Sequence, residues 1–136
     1  MPELPEVETT VRALSVILNQ KIIKVKIHTK KLRFNIPHNI KNILINSKIS
    51  NIRRIAKYII IDLNKKYSLI IHLGMSGRLK NISYKHHLNK HDHFIIYLNN
   101  QNILIYNDPR KFGFIDVVKT KDLNKKKYIN NLGIDA

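Results

Sequence analysis

The chemistry in this sequence begins at its second residue. A proline follows Met1, and methionine aminopeptidases remove an initiator methionine when the next side chain is small, so the mature chain is expected to start at Pro2 with a secondary amine. An α-amino group has a pKa of about 8 against about 10.4 for a lysine, which leaves a useful fraction neutral and nucleophilic at pH 7. Attack by such an amine on C1′ of a sugar gives an iminium that withdraws electrons and acidifies the C2′ proton. The neighbouring carboxylate, Glu3, could then shuttle protons at the sugar ring. A purely structural reading, in which Pro2 spaces the start of a helix, stays open on these two residues alone.

Two further stretches place loop chemistry among strands. HLGMSGRL (72–79) sets Met75 between glycines, where backbone can approach a partner closely and a large apolar side chain stands out of a turn. NDPRKFGF (107–114) opens a turn with Asn, Asp and Pro and then presents Arg110 and Phe112 before Gly113. Apolar wedges and an arginine on loop tips suit insertion into a base stack; each residue taken singly reads equally as core or surface decoration. RRIAKYIIIDL (53–63) puts Arg53, Arg54 and Lys57 at a strand edge, where they are either site cations or solvated edge charges. The histidines of HHLNKHDHF (86–94) could suggest a metal, but a strand alternates their directions and the chain has no cysteine, so no metal site is expected. His91 reads instead as a phosphate donor.

These residues need elements to position them. Pro5, Glu6, Val7 and Glu8 form a helix start, with proline in the first turn and carboxylates at the positive end of the dipole. Val7, Val11, Leu14 and Leu18 give that helix one apolar face. Eight short β-branched runs follow: 21–27, 48–55, 58–63, 68–73, 77–83, 93–98, 102–107 and 112–118. Strands at this spacing predict an antiparallel sandwich or barrel, with LNKKY and LNNQN as hairpin turns. Residues 37–45 read as a second short helix and 122–133 as a third, ending at Gly133.

Composition bounds the function. The 136 residues amount to one domain with no cysteine, which excludes disulfides and thiolate chemistry within them. The start is acidic rather than signal-like, and no stretch approaches the roughly 18 apolar residues of a membrane span, so an intracellular, non-secreted protein is expected. A formal charge of +16 and a pI near 10.2 point to a polyanionic partner, nucleic acid first. AT-rich coding bias accounts for part of the charge, since 19 Lys against 6 Arg accompany 24 Ile and 16 Asn.

Taken in order and spacing, PELPEVET, RRIAKY, HLGMSG, KHDH and DPRKFG closely resemble the N-terminal catalytic domain of the formamidopyrimidine-DNA glycosylase (Fpg/MutM) family. The related endonuclease VIII branch typically opens PEGPE, so this chain sides with the formamidopyrimidine branch. The resemblance implies a mainly β fold: a two-sheet antiparallel β-sandwich of about eight strands with an N-terminal α-helix and flanking helices. It implies a DNA glycosylase and abasic-site lyase of base-excision repair that acts on formamidopyrimidine and 8-oxoguanine in damaged double-stranded DNA, as a monomer in a bacterial-type cytoplasm or an organelle. Pro2 then corresponds to the nucleophile, Glu3 to its acid/base partner and Lys57 to a lysine at the scissile phosphate. Met75, Arg110 and Phe112 correspond to the residues that fill the gap left by a flipped nucleotide, His91 and Arg110 to DNA-backbone contacts, with His72 as a further one.

The full-length family continues into a helix-two-turn-helix module and a four-cysteine zinc finger. Residues 1–131 are expected to form the catalytic domain and 132–136 the start of the linker, with no cofactor in this chain. The expectation is of an excerpt, a truncated reading frame or a decayed gene. Two other functions stay open: a DNA-binding remnant without turnover, and a basic β-domain of a ribonucleoprotein.

Overall fold

The computed structural model describes residues 4–131 except 65 and 86; Pro2, Glu3 and the proposed linker at 132–136 lie outside the described residues. Helix α1 (Leu4–Ala13) passes into a 3-10 turn at Leu14–Ile17. Asn19, at φ 68, then reverses the chain, a left-handed position that asparagine tolerates. Eight strands follow, β1 (Ile22–Ile27), β2 (Ile49–Ile55), β3 (Tyr58–Leu63), β4 (Tyr67–His72), β5 (Arg78–Ser83), β6 (Asp92–Leu98), β7 (Asn102–Asn107) and β8 (Phe114–Lys119), with a short α2 (Ile40–Leu44) between β1 and β2. They form two antiparallel four-stranded sheets, ordered β1-β6-β7-β5 and β2-β3-β4-β8. The expected strands and both hairpin turns are therefore present. Lys66 and Gln101 take the left-handed position in those turns, at φ 70 and 68.

Alternation decides which isoleucine faces which layer. In β3, Ile59 and Ile61 enter the core between the sheets while Ile60 faces outward, and β4 repeats this with Leu69, Ile71 and Ile70. The outward residues are also buried, because Leu123 and Ile129 of the C-terminal segment cover that face. Strands covered on both sides read as continuous apolar runs, which is how these two read. In β6 and β7, Phe94, Ile96, Leu104 and Tyr106 point inward and Ile95, Ile103 and Ile105 outward. Val7, Leu14 and Ile17 close one side of the central core.

The single helix expected over 122–133 is a correction. The chain forms a 3-10 segment at Thr120–Lys125, extends at Lys126 (ψ 128), and only then makes α3 (Lys127–Asn130); Gly133 lies outside the described residues. Leu123 and Ile129 are six residues apart, which on one continuous helix would point them about 120° away from each other. The break lets both pack on the same sheet face. Among the described residues no helix is long and apolar enough to cross a membrane.

Candidate nucleic-acid interface

One end of the sandwich gathers the β2–β3 turn, the β4–β5 and β7–β8 loops, and the loop leading from β1 toward α2. Three ring-bearing residues mark it. Tyr58, His72 and Phe114 are register partners across β3, β4 and β8. His72 stacks on Phe114 with the planes 5° apart and centroids at 5.4 Å, and Tyr58 leans on His72 at 4.9 Å. Tyr128 closes the group against Tyr58 and Phe114, its hydroxyl donating to Asp116 at 2.7 Å.

Asp108, fully buried, organises the β7–β8 loop. Its Oδ1 accepts from the Ser76 hydroxyl at 2.6 Å and the Lys111 amide at 3.1 Å; its Oδ2 accepts from the Tyr106 hydroxyl at 2.8 Å and the Gly113 amide at 3.0 Å. Four donors on one carboxylate fix the loop's path. Burial and the Asp108 bond push the Tyr106 phenol well above its ordinary value, so it stays a donor. Ser76 also accepts from the Arg110 amide at 3.1 Å, tying this loop to the β4–β5 loop.

Glycine makes that contact possible. Gly74 sits at φ 63, and a Cβ there would run into Gly113 and Phe112 backbone; a Cβ on Gly113 would strike the Tyr106 hydroxyl and the His72 carbonyl. With the loops seated this way, Met75 and Phe112 stand about half exposed, and the Arg110 guanidinium lies 4.8 Å from the Phe112 ring centroid. Beside them is a recess of about 320 Å³ lined by Arg33, His72, Gly74, Met75 and Phe112.

His72 is buried at the floor of the recess. Desolvation, then the charges of Arg33 and Lys57, hold its pKa below the ordinary histidine value, so the ring is neutral at pH 7. Its Nδ1 accepts from the Gly74 amide at 3.1 Å, which places the ring proton on Nε2. No described residue accepts a hydrogen bond from that nitrogen. His93 differs: its Nε2 donates to the Asp108 carbonyl at 2.8 Å and its Nδ1 pairs with the Thr29 hydroxyl at 2.7 Å, so it is a structural brace. His91 is half-buried next to it, its carbonyl accepting from the Asp108 amide at 3.1 Å.

Lys57 occupies the second position of the two-residue β2–β3 turn, after Ala56 at φ 50. Arg54 secures that turn, donating to the Ala56 carbonyl at 2.9 Å and to Glu8 of α1 at 2.6 Å. Arg53 is spent on a two-pronged contact with Asp62, at 2.8 and 3.3 Å. Of the three cations in that stretch, only Lys57 forms no ion pair with a described residue. The structure thus groups His72, Met75, Arg110 and Phe112, and sets Lys57 one residue before Tyr58, the register partner of His72. His91 lies at the margin, attached through Asp108. Sequence reading missed Arg33 and gave Asp108 only the role of a turn opener; the one signal for Arg33 is a basic run, KKLR, placed in a loop.

Residues 1–115 match the family model described as the formamidopyrimidine-DNA glycosylase N-terminal domain. The formamidopyrimidine-DNA glycosylase of Zymomonas mobilis is 47% identical over 134 residues, covering 98% of this chain and 49% of its own length, and that of Rickettsia africae is 46% identical over 136 residues, covering 99% and 50%. The chain spans about half the length of the curated relatives it matches. Among solved structures, Lactococcus lactis Fpg (MutM) in complex with DNA containing FAPY-dG superposes with a TM-score of 0.83 at 33% identity, over 90% of this chain and 46% of that one. The same protein with abasic-site DNA gives 0.84 at 32%, over 91% and 46%. Sequence and fold agree, and the chain belongs to the formamidopyrimidine-DNA glycosylase family.

Proposed function

We propose that this chain is the catalytic half of a base-excision repair enzyme, a DNA glycosylase and abasic-site lyase that removes oxidised purines such as formamidopyrimidines and 8-oxoguanine from duplex DNA. The observation that carries this reading is the locked pair of loops that presents Met75 and the Arg110–Phe112 couple beside a recess floored by His72. Apolar side chains held half exposed on rigid backbone are suited to occupying the gap left by an extruded nucleotide. Family membership, and solved relatives bound to FAPY-dG and abasic-site DNA, support the substrate class.

In the proposed reaction the Pro2 nitrogen displaces the damaged base from C1′. The C1′–O4′ bond then breaks as Glu3 delivers a proton to O4′, leaving an iminium between Pro2 and C1′. The Glu3 carboxylate left by that transfer takes the C2′ proton, and the electron pair released expels the 3′ phosphate by breaking the C3′–O bond, while the Lys57 cation faces the charge that develops on the phosphate. The α1 anchor supports this arrangement, because the Glu8–Arg54 and Arg54–Ala56 bonds tie the middle of the chain's first helix to the turn that carries Lys57. The four-cysteine zinc site that the resemblance implies for the full-length family does not fit these 136 residues, which contain no cysteine, and the steps above use no metal.

Borohydride reduction of the protein on an abasic-site duplex tests the reading. A stable crosslink that maps to Pro2, and disappears when a residue is added before it, is expected. Retention of Met1 in the purified chain, or a crosslink mapping to Lys57, would overturn the nucleophile assignment. Glu3→Gln should leave trapping at abasic sites intact and impair base excision. DNA binding with no crosslink would point to a binding module without turnover.

A further inference from the structure

Arg33 has no role in the reading above, yet it forms a wall of the same recess. Its backbone is fixed there: the Arg33 amide donates to the Gly113 carbonyl at 3.0 Å, so the β1–α2 loop is tied to the loop that carries Phe112. The neighbouring turn is closed by Leu32 donating to the Phe34 carbonyl at 3.1 Å and Ile36 to the Lys30 carbonyl at 2.8 Å, with Leu32 and Ile36 buried in the core. The guanidinium lies 5.3 Å from the Phe34 ring centroid and pairs with no carboxylate among the described residues.

The recess has a one-sided hydrogen-bonding character. Among its lining side chains, Arg33 offers only donors, and His72, with Nδ1 occupied by the Gly74 amide, offers only Nε2–H. Met75 and Phe112 supply apolar walls. A base edge presents donors and acceptors together and would leave its donors unmet here, whereas a phosphate presents acceptors alone.

We propose that Arg33 is a further DNA-contacting residue of this site, taking a backbone phosphate of the lesion-bearing duplex in the recess together with His72 Nε2–H. The proposal rests on the DNA-repair reading of the same site. Through the Gly113 bond, the phosphate clamp and the Phe112 wedge belong to one rigid unit, so engagement of the backbone at Arg33 sets where Phe112 enters the stack.

The test is binding of the 136-residue chain to a duplex carrying one tetrahydrofuran abasic analogue, measured against salt concentration. Each phosphate neutralised contributes about 0.9 to the slope of log affinity on log salt. Arg33→Ala should lower that slope by about 0.9 with an unchanged melting temperature, and Arg33→Lys should restore the slope while recovering only part of the affinity. Lys121→Ala, in the 3-10 segment that follows the far end of β8, removes one cation away from the recess and should leave the slope unaltered. An unchanged slope in Arg33→Ala, or an equal fall in Lys121→Ala, overturns the proposal. If wild-type chain neither prefers the abasic duplex nor traps on it, the functional reading fails first; if it does both and Arg33→Ala matches it, only the role of Arg33 falls.

Discussion

Gly74 and Gly113 come from loops 39 residues apart in sequence, yet their backbones lie so close that a Cβ on Gly74 would overlap the Gly113 amide nitrogen. The two loops therefore behave as one body, and the side chains they carry, Met75 on one and Arg110 and Phe112 on the other, share a fixed relative position. Gly74→Ala should destabilise the fold by about 2–4 kcal/mol, combining the left-handed φ with overpacking against backbone. It should also weaken abasic-duplex binding by more than Met75→Ala does, since both loops are displaced at once. Equal binding losses in calorimetry would show that the loops act separately.

The Asp108 carboxylate is the second element of that body. Asn at this position turns one oxygen into a donor that must face either the Ser76 hydroxyl and Lys111 amide or the Tyr106 hydroxyl and Gly113 amide. Asp108→Asn should cost about 2–4 kcal/mol, and Tyr106→Phe, which removes one of four donors, about 1–2 kcal/mol. Urea unfolding measures both; an Asp108→Asn chain as stable as wild type would mean that the loop is held by its glycines alone.

The strands were legible because their signal is local. Runs such as YIIIDL and HFIIYL carry β-branched or aromatic residues between turn formers, and burial on both faces removes any ambiguity of polarity. The exposure of Met75 and Phe112 on loops was legible for the same reason, as large apolar side chains next to glycine. The roles of Asp108 and Arg33 were not, because each depends on partners distant in sequence: Ser76 stands 32 residues before Asp108, and Gly113 stands 80 residues after Arg33. Arg53 and Arg54 looked alike in sequence. Register separates them, turning one to Asp62 and the other to Glu8.

His72 gives a pH signature. Burial, aided by Arg33 and Lys57, keeps its folded pKa below the 6.5 of an exposed histidine. The unfolded chain therefore takes up a proton near 6.5 that the folded chain still refuses, so the stability due to neutral His72 is present above that pH and is lost as pH falls. Between pH about 7.5 and about 5.5 the melting temperature of wild type should fall further than that of His72→Gln. Parallel pH profiles for the two proteins would remove His72 from this role.

The exposed residues of the paired loops are separable by the kind of DNA they need and by salt. Only a duplex leaves a hole when a nucleotide swings out, so Met75→Ala and Phe112→Ala should weaken binding to lesion-bearing duplex more than to single strands. Neither side chain neutralises a phosphate, and the salt slope should stay near the wild-type value in both. Arg110 differs because its guanidinium rests on the Phe112 ring at 4.8 Å while keeping its charge. Arg110→Ala should reduce both the lesion preference, by loosening Phe112, and the salt slope, by about 0.9. In the double variant with Phe112→Ala the loss of lesion preference should be less than additive, since the second change removes a ring already freed. Additive losses, or losses of equal size on single-stranded DNA, would instead favour general stacking along a strand over insertion into a vacated base position.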